Sequence, residues 1–200
     1  MAKTIWWVAL AFLCSCHSST QENTPSSSEN GTSTSQSGQK DVDTSREIQH
    51  IVQRTHLFSS DTQPDYFRLA LHGDSITGGQ VLFTITTFDG RLIYEERFSA
   101  ADLEASMVYE MLSSPATLSD REAYIVKRMD EFVQPSDFVS PAIAPNAPAQ
   151  TSFVNETTWR RIQSNPKAIG FKYLLGKEDG RLLVYDPEQK KAVRYGRFGG

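Results

Sequence analysis

The sequence predicts an α+β fold: an antiparallel sheet of about six strands, arranged along the chain as three strands, two to three helices and three more strands. Apolar residues alternate on both sides of Asp89-Gly90, two helix-capping patterns follow between residues 99 and 122, and alternation returns after residue 168. Strands grouped before and after the helices are typical of α+β folds rather than of parallel sheets. We expect a single domain over residues 46–200, a length that can bury a core.

The first residues have the composition of an export signal. Lys3 supplies a positive charge, and residues 5–13 form an uncharged apolar run. A membrane-spanning helix needs about 20 apolar residues, so this run is too short to span a bilayer. It is followed by Leu13-Cys14-Ser15-Cys16, which is similar to the lipobox of bacterial lipoproteins. Cys16 fits that pattern because small Ser15 precedes it, whereas Cys14 follows a bulky residue.

This resemblance implies a lipoprotein signal peptide over residues 1–15 and a mature chain that begins at lipidated Cys16. The acyl chains would anchor the protein to the inner or outer membrane of the cell envelope, facing the periplasm or the surface. The whole chain also resembles the small lipoproteins of Gram-negative envelopes. The alternative is an ordinary cleaved signal peptide followed by a cysteine that occurs there by chance.

The chain has two cysteines, Cys14 and Cys16. If the first leaves with the signal peptide and the second is acylated, the mature domain has no free thiol. Disulfides, cysteine nucleophiles and thiolate metal sites are then excluded. Residues 16–45 begin with the lipidated cysteine and are rich in Ser, Thr, Gln, Asn and Glu, with Val42 as their branched aliphatic residue. This composition predicts a disordered tether.

The clearest strand signal is a β-hairpin centred on Asp89-Gly90, a dipeptide favoured in two-residue turns whose central residues both have positive φ. If Phe88 lies opposite Arg91, apolar side chains collect on one face and polar side chains on the other. The apolar face then comprises Val81, Phe83, Ile85, Leu92, Tyr94 and Phe98, and the polar face comprises Thr84, Thr86, Glu95 and Arg97. Alternation at Phe67, Leu69 and Leu71 predicts a third strand upstream.

Helices are predicted after the hairpin. Capping boxes begin at Ser99 and at Ser119, each before apolar residues at helical spacing, and Pro115 separates the two helices. A shorter helix is predicted over residues 155–162, with Trp159 and Ile162 on one face. Strand character then returns over residues 169–175, 182–185 and 192–195, with turns between these segments.

Residues 72–79 (His-Gly-Asp-Ser-Ile-Thr-Gly-Gly) are similar to the first block of the GDSL hydrolases, whose serine is an acyl nucleophile. The resemblance implies that Ser75 attacks an ester and that its backbone N–H helps to bind the oxyanion. The later Gly-x-Asn-Asp and Asp-x-x-His blocks of that family are missing from the chain. We therefore prefer a glycine-rich loop between antiparallel strands, and we predict no catalytic residue.

The sequence predicts no metal, cofactor or nucleic-acid site. His50 and His56 stand six residues apart, in a segment expected to be a polar helix or turn, and the acidic residues around them are scattered. The chain has 20 basic and 24 acidic residues and a net charge of −4, which disfavours nucleic acid as a partner. Lys190, Lys191 and Arg194 are interpreted as a solvated strand end.

A proline-rich segment, residues 134–152, is the candidate interaction loop. Extended backbone that carries a few apolar side chains loses little entropy when it docks onto a partner. The residues proposed for such contacts are Pro135, Phe138, Val139, Pro141, Ile143, Pro145 and Pro148. The alternative is a connector that lies over the sheet.

Three functions are therefore carried forward from the sequence. The preferred hypothesis is a membrane-anchored envelope lipoprotein whose domain is a non-catalytic binding module for an envelope protein or a small ligand. The second is an esterase that uses Ser75. The third is a structural or assembly factor that acts through the proline-rich segment or a sheet edge.

Overall fold

Two antiparallel sheets of four strands each and three α-helices form the described part of the protein. They are seen in a computed structural model that describes residues 44–111 and 115–199, which belong to one compact unit, Gln39–Gly200. The predicted α+β class is confirmed. The single sheet of about six strands is wrong, because the strands before and after the main helices pair in two separate sheets.

Sheet A contains the first four strands, in the spatial order β1-β2-β3-β4. Their bounds are β1 Ile48–Leu57, β2 Pro64–His72, β3 Gln80–Thr86 and β4 Leu92–Ser99. The strand predicted from the alternation at Phe67, Leu69 and Leu71 is β2, and all three side chains are fully buried. The upstream prediction is therefore confirmed.

β1 is an edge strand, and the expectation that His50 and His56 lie in a polar helix or turn is wrong. The strand pairs with β2 alone, and Val52 is its one buried residue. Polar and charged side chains are tolerated at such an edge because much of the strand faces water. The alternation of apolar and polar residues that would predict a strand is consequently weak in β1.

The β3–β4 hairpin has the predicted register except beside its turn. Val81 pairs with Phe98, as predicted from placing the apolar residues on one face. A bulge between Ile85 and Thr86 then shifts the pairing. Leu92, predicted on the apolar face, is 47% exposed, whereas Ile93 is 2% exposed and joins the core. The prediction for Leu92 is wrong because an inserted residue exchanges the two faces of a strand.

The turn itself explains that bulge. Gly90 has a φ of +84°, but Asp89 does not have a positive φ, so the predicted two-residue turn is wrong. The Gly90 N–H donates to the Thr87 carbonyl, and the Thr87 N–H donates to the Arg91 carbonyl. A turn followed by a left-handed glycine adds a residue to the loop and produces a bulge of this kind.

Sheet B contains the last four strands, in the order β5-β6-β7-β8. Their bounds are β5 Phe138–Val139, β6 Gly170–Leu174, β7 Gly180–Asp186 and β8 Lys191–Phe198. The three C-terminal strands confirm the prediction from residues 169–195. The short β5 was not predicted, because it lies inside the proline-rich segment.

The helices are α1 Ala100–Glu104, α2 Leu118–Asp130 and α3 Glu156–Gln163, accompanied by 3₁₀ turns at Met107–Tyr109 and Pro135–Asp137. The capping box at Ser99 is confirmed: the Ser99 hydroxyl accepts from the Ala101 N–H at 3.2 Å, and the Asp102 carboxylate accepts from the Ser99 N–H at 2.8 Å. The box at Ser119 is wrong. α2 begins two residues earlier, where Thr117 caps it together with Asp120.

α3 follows the prediction closely. Asn155 caps it by accepting a hydrogen bond from the Thr158 N–H at 2.8 Å. Trp159 and Ile162 are both 3% exposed and lie on one face. The apolar spacing of a short helix therefore predicted its buried side correctly.

The main core lies between the two sheets and is rich in aromatic side chains. Phe67 and Phe171, from opposite sheets, have ring centroids 5.1 Å apart, and Phe83 and Tyr173 are 5.5 Å apart. Edge-to-face contacts at these distances add to the free energy of burying each ring, which is about 1.5–3 kcal/mol for a fully buried Phe. A smaller cluster packs α3 on the other side of sheet B, around Trp159.

The two ends of this sandwich differ. At one end lies α1, which begins directly after β4, and the Arg128 guanidinium on α2 donates to the carbonyl of Leu174 where β6 ends. Side chains of both helices belong to the main core. The other end is bordered by the β1–β2 loop, the β3–β4 turn and the β7–β8 turn. Loops gathered at one end of a sandwich are a common place for binding sites.

Candidate functional site

A cleft of about 390 Å³ opens at the loop end of the sandwich. It is lined by residues 58–61 and 167–169 together with Asn165, Tyr185 and Pro187, and it is called the end cleft below. One wall comes from sheet A through the β1–β2 loop. The other comes from sheet B, through the segment just before β6 and the end of β7. The volume lies in the range of about 300–1,000 Å³ that small-molecule sites occupy.

A buried carboxylate fixes the sheet A wall of the end cleft. Asp65 is 1% exposed and accepts hydrogen bonds from the Ser59 N–H at 2.5 Å and the Ser59 hydroxyl at 2.8 Å. Burial raises the pKa of Asp65 above its ordinary value, and the hydrogen bonds from Ser59 offset that rise in part. The Ser60 hydroxyl also accepts from the backbone N–H of Gln63. The loop is therefore held in one conformation by its own side chains.

A second buried carboxylate fixes the turn on the other side. Asp186 is fully buried and accepts hydrogen bonds from the Arg161 guanidinium at 2.7 Å, the Glu188 N–H and the Gln189 amide. Burial alone would raise the pKa of Asp186, but these three donors outweigh it and hold the pKa below its ordinary value. Arg161 is consequently a support of the β7–β8 turn, which carries Pro187 into the end cleft.

Polar side chains form the rim of the end cleft. Asp61 and Lys167 face each other across it, with 3.3 Å between carboxylate and ammonium, and both side chains are largely exposed. Asn165 accepts a hydrogen bond from the Lys167 N–H at 3.0 Å. The hydroxyl of Tyr185 accepts from the Arg91 guanidinium at 3.4 Å, which links the ring to the β3–β4 turn. The rim can thus donate and accept hydrogen bonds while its charges balance.

A polar network joins the two sheets on the side where β4 lies next to β8. Glu96 accepts hydrogen bonds from the hydroxyls of Tyr173 at 2.5 Å and Tyr94 at 3.1 Å, and it pairs with Arg181 of β7. The side chains of Glu96 and Arg181 are 15% and 17% exposed. Burial raises the pKa of Tyr173 and of Tyr94, so both phenols stay protonated.

The hydrogen-bonding groups of this inter-sheet network are already paired with one another. Both carboxylate oxygens of Glu96 already accept from donors, and Arg181 also contacts Asp179 at 2.7 Å. A carboxylate saturated in this way is not poised to take up a proton from a substrate. We therefore assign the network a structural role in tying β4 to sheet B. Glu96 was not singled out from the sequence, although the predicted hairpin register implies a position between Tyr94 and Phe98 on the apolar face, and that was the signal that could have found it.

The Ser75 segment forms a tight loop between β2 and β3. Gly73 has a φ of +150°, and a side chain on Gly79 would collide with Leu71. The Ser75 hydroxyl accepts a hydrogen bond from the Gly78 N–H at 3.2 Å. Across the described ranges it bonds to no histidine, and His72 points its ring at the Arg46 carbonyl instead. This local bonding is what a glycine-rich loop requires.

The proline-rich segment is partly built into the fold. Phe138 stacks on His56 with centroids 3.5 Å apart, and Ile143 is 3% exposed in the cluster around Trp159. The Tyr195 hydroxyl donates to the Ala142 carbonyl at 2.8 Å, and burial raises the pKa of Tyr195 to about 12. The exposed members of the candidate set are Pro135, Val139, Pro141, Pro145 and Pro148. Contact between these side chains and a partner stays a prediction.

The predictions about lipidation, membrane spans and metal sites concern other parts of the chain. Cys16, the signal peptide and the tether up to residue 43 lie outside the described residues. Within residues 44–111 and 115–199, no helix is both long and apolar enough to cross a membrane. The same residues contain no group of three or more potential metal ligands. Comparison with protein-family models, curated proteins and solved structures found no match for the chain.

The end cleft was not predicted from the sequence. Its residues come from three separate segments, and none of them forms a recognised motif. Asp65 and Asp186, which hold its walls, look like ordinary turn aspartates until the fold shows that they are buried. A weak signal did exist in Ser59-Ser60-Asp61, a run of turn-forming residues directly after the buried Phe58.

Proposed function

We propose that this chain is a lipid-anchored protein of the cell envelope whose folded domain binds a ligand without catalysing a reaction. The observation that carries the anchoring is Leu13-Cys14-Ser15-Cys16, placed directly after an apolar run of export-signal length. β1 begins at Ile48, so about 30 residues separate Cys16 from the sheets. A tether of this length and polar composition would let the domain extend from either face of a membrane.

The binding half of the proposal is supported by the end cleft. Its walls are fixed by Asp65 and Asp186, so a ligand would not have to order the loops when it binds. Pre-organised loops of this kind increase affinity by lowering the entropy lost on association. The carboxylate of Glu96 already accepts from Tyr94, Tyr173 and Arg181 and so is not free to act as a general base, which favours binding over catalysis.

Acylation can be tested with two neighbouring substitutions. Cells that express the protein would be grown with radiolabelled palmitate, and membranes would be separated from soluble protein. The intact chain should carry label and remain with the membranes. Cys16→Ser should lose both the label and the membrane association, whereas Cys14→Ser, two residues away in the same segment, should keep them.

The opposite pattern would end the proposal. If Cys16→Ser stays with the membranes after a carbonate wash, or if palmitate is never incorporated into the intact chain, acyl chains on Cys16 do not hold the protein. Loss of label from Cys14→Ser alone would move the modification to the other cysteine and contradict the lipobox alignment.

A further inference from the structure

The side chains around the end cleft combine an apolar wall with a polar rim whose two charges balance. We propose that the end cleft binds a neutral saccharide, an inference that rests on the proposed binding function and names its ligand class. A sugar ring presents C–H groups on its faces and hydroxyls around its edge. Each hydroxyl both donates and accepts hydrogen bonds, so the ligand needs partners of both kinds.

The charge of the end cleft favours an uncharged ligand. Asp61 and Lys167 are the two charged residues among the described residues that line it, and they pair with each other at 3.3 Å. An anionic or cationic ligand would have to compete with that pair for one partner and would leave the other without its counter-ion. A sugar hydroxyl can instead donate to the Asp61 carboxylate and accept from the Lys167 ammonium without separating them.

The apolar side of the end cleft suits a sugar face. Phe58 is 4% exposed and lines the cleft, while Tyr185 is partly buried against the core and linked through its hydroxyl to Arg91. The ring of Tyr185 is therefore tied at its far end as well as at its backbone. An aromatic side chain with few rotatable bonds gives contact area at a low entropy cost, and such residues often dominate binding sites.

Hydrogen-bonding groups surround this wall. Ser59 and Ser60 supply hydroxyls from the sheet A side, and Asn165 supplies a side-chain amide from the sheet B side. The cavity of about 390 Å³ has room for a short saccharide. These groups also bond within their own loops, so a ligand would use their remaining donors and lone pairs. A wholly apolar ligand would displace water from those positions without replacing its hydrogen bonds, which would cost free energy.

The inference can be tested by nuclear magnetic resonance on the isotope-labelled full-length protein in detergent micelles. Three neutral disaccharides would be titrated: maltose, cellobiose and N,N′-diacetylchitobiose. A digalacturonate and trialanine would serve as charged-saccharide and peptide probes. At least one neutral disaccharide should shift the amide signals of residues 58–61 and 167–169, and neither of the other probes should do so.

Substitutions locate the site. Tyr185→Leu keeps an apolar side chain but removes the ring, and it should weaken binding by about tenfold or more. Tyr109→Leu, at an exposed tyrosine outside the end cleft, should leave the affinity unchanged. If Tyr185→Leu does not fold, Asn165→Ala changes an exposed rim residue and should weaken the same titration.

Three outcomes would overturn the inference. Shifts of the same amides by trialanine or digalacturonate alone would reject a neutral saccharide and leave ligand binding at the end cleft intact. No shift from any probe at millimolar concentration would also reject the saccharide, without bearing on the acylation of Cys16. Equal affinity of Tyr185→Leu and the unchanged protein would place the sugar elsewhere.

Discussion

Glu95 and Glu96 are neighbours on β4, but the structure gives them opposite surroundings. Glu96 lies between the sheets, with its side chain 15% exposed and bonded to Tyr94, Tyr173 and Arg181. Glu95 faces outward, with its side chain 33% exposed and paired with Arg97. Replacing each with alanine changes the same chemical group in the same strand. The difference between the two variants therefore measures burial of the carboxylate.

The expected costs of the two substitutions differ by about 2–3 kcal/mol. Removing one partner of a buried ion pair costs about 3–5 kcal/mol. Glu96→Ala should fall near the lower figure, because Arg181 keeps Asp179 and the two tyrosine hydroxyls keep each other at 2.8 Å. Glu95→Ala breaks a pair that is partly exposed and should cost about 0–1 kcal/mol.

Urea unfolding followed by far-ultraviolet circular dichroism measures this difference. With a slope of about 1–3 kcal/mol per molar urea, a cost of about 3 kcal/mol for Glu96→Ala should lower the midpoint by roughly 1–3 M. At the same slope, a cost of about 0–1 kcal/mol for Glu95→Ala should shift the midpoint by no more than about a third as much. Equal shifts for the two variants would refute the reasoning, because they would mean that Glu96 does not join the sheets.

Three further predictions test other parts of the fold by the same unfolding measurement. Leu92→Lys should change the free energy of unfolding by less than about 0.5 kcal/mol, because the bulge exposes Leu92. Ile93→Lys should lower it by several kcal/mol, because the bulge buries Ile93. Equal costs for the two variants would contradict the bulge. Because the pKa of Asp186 is lowered in the folded state, its carboxylate stabilises the protein above about pH 4, and this contribution is lost as the pH falls further. Asp186→Asn should therefore make the free energy of unfolding depend less on pH in the acid range. An unchanged pH dependence would contradict this role of Asp186. Gly180→Ala should destabilise by about 1–3 kcal/mol because the added Cβ overlaps the Phe198 carbonyl, and wild-type stability would show that the strands can separate there.

Local patterns predicted the elements whose faces differ clearly in polarity. The β3–β4 register, the upstream strand β2 and the buried side of α3 all follow from spacing of apolar residues. β1 was missed because its polar residues hide the alternation at a sheet edge. The bulge beside the turn depends on the backbone of Gly90, and a dipeptide alone does not distinguish the two turn types that it favours.

The division into two sheets could not be predicted from these patterns. Each strand's alternation fixes which side it buries, but it does not say which strand lies beside it in space. The same limit hid the end cleft, whose walls are brought together from residues more than 100 positions apart, as in Asp61 and Lys167. Glu96 was also missed, although a carboxylate on the apolar face of a strand is a signal that could have indicated a buried partner.

Mass spectrometry of the mature protein, purified from the membranes of a host that lipidates proteins, tests the anchoring most directly. We predict an N-terminal peptide that begins at Cys16 and carries the added mass of diacylglycerol, with or without a third acyl chain. A mature N-terminus at any other residue, or an N-terminal Cys16 without an acyl group, would contradict the account.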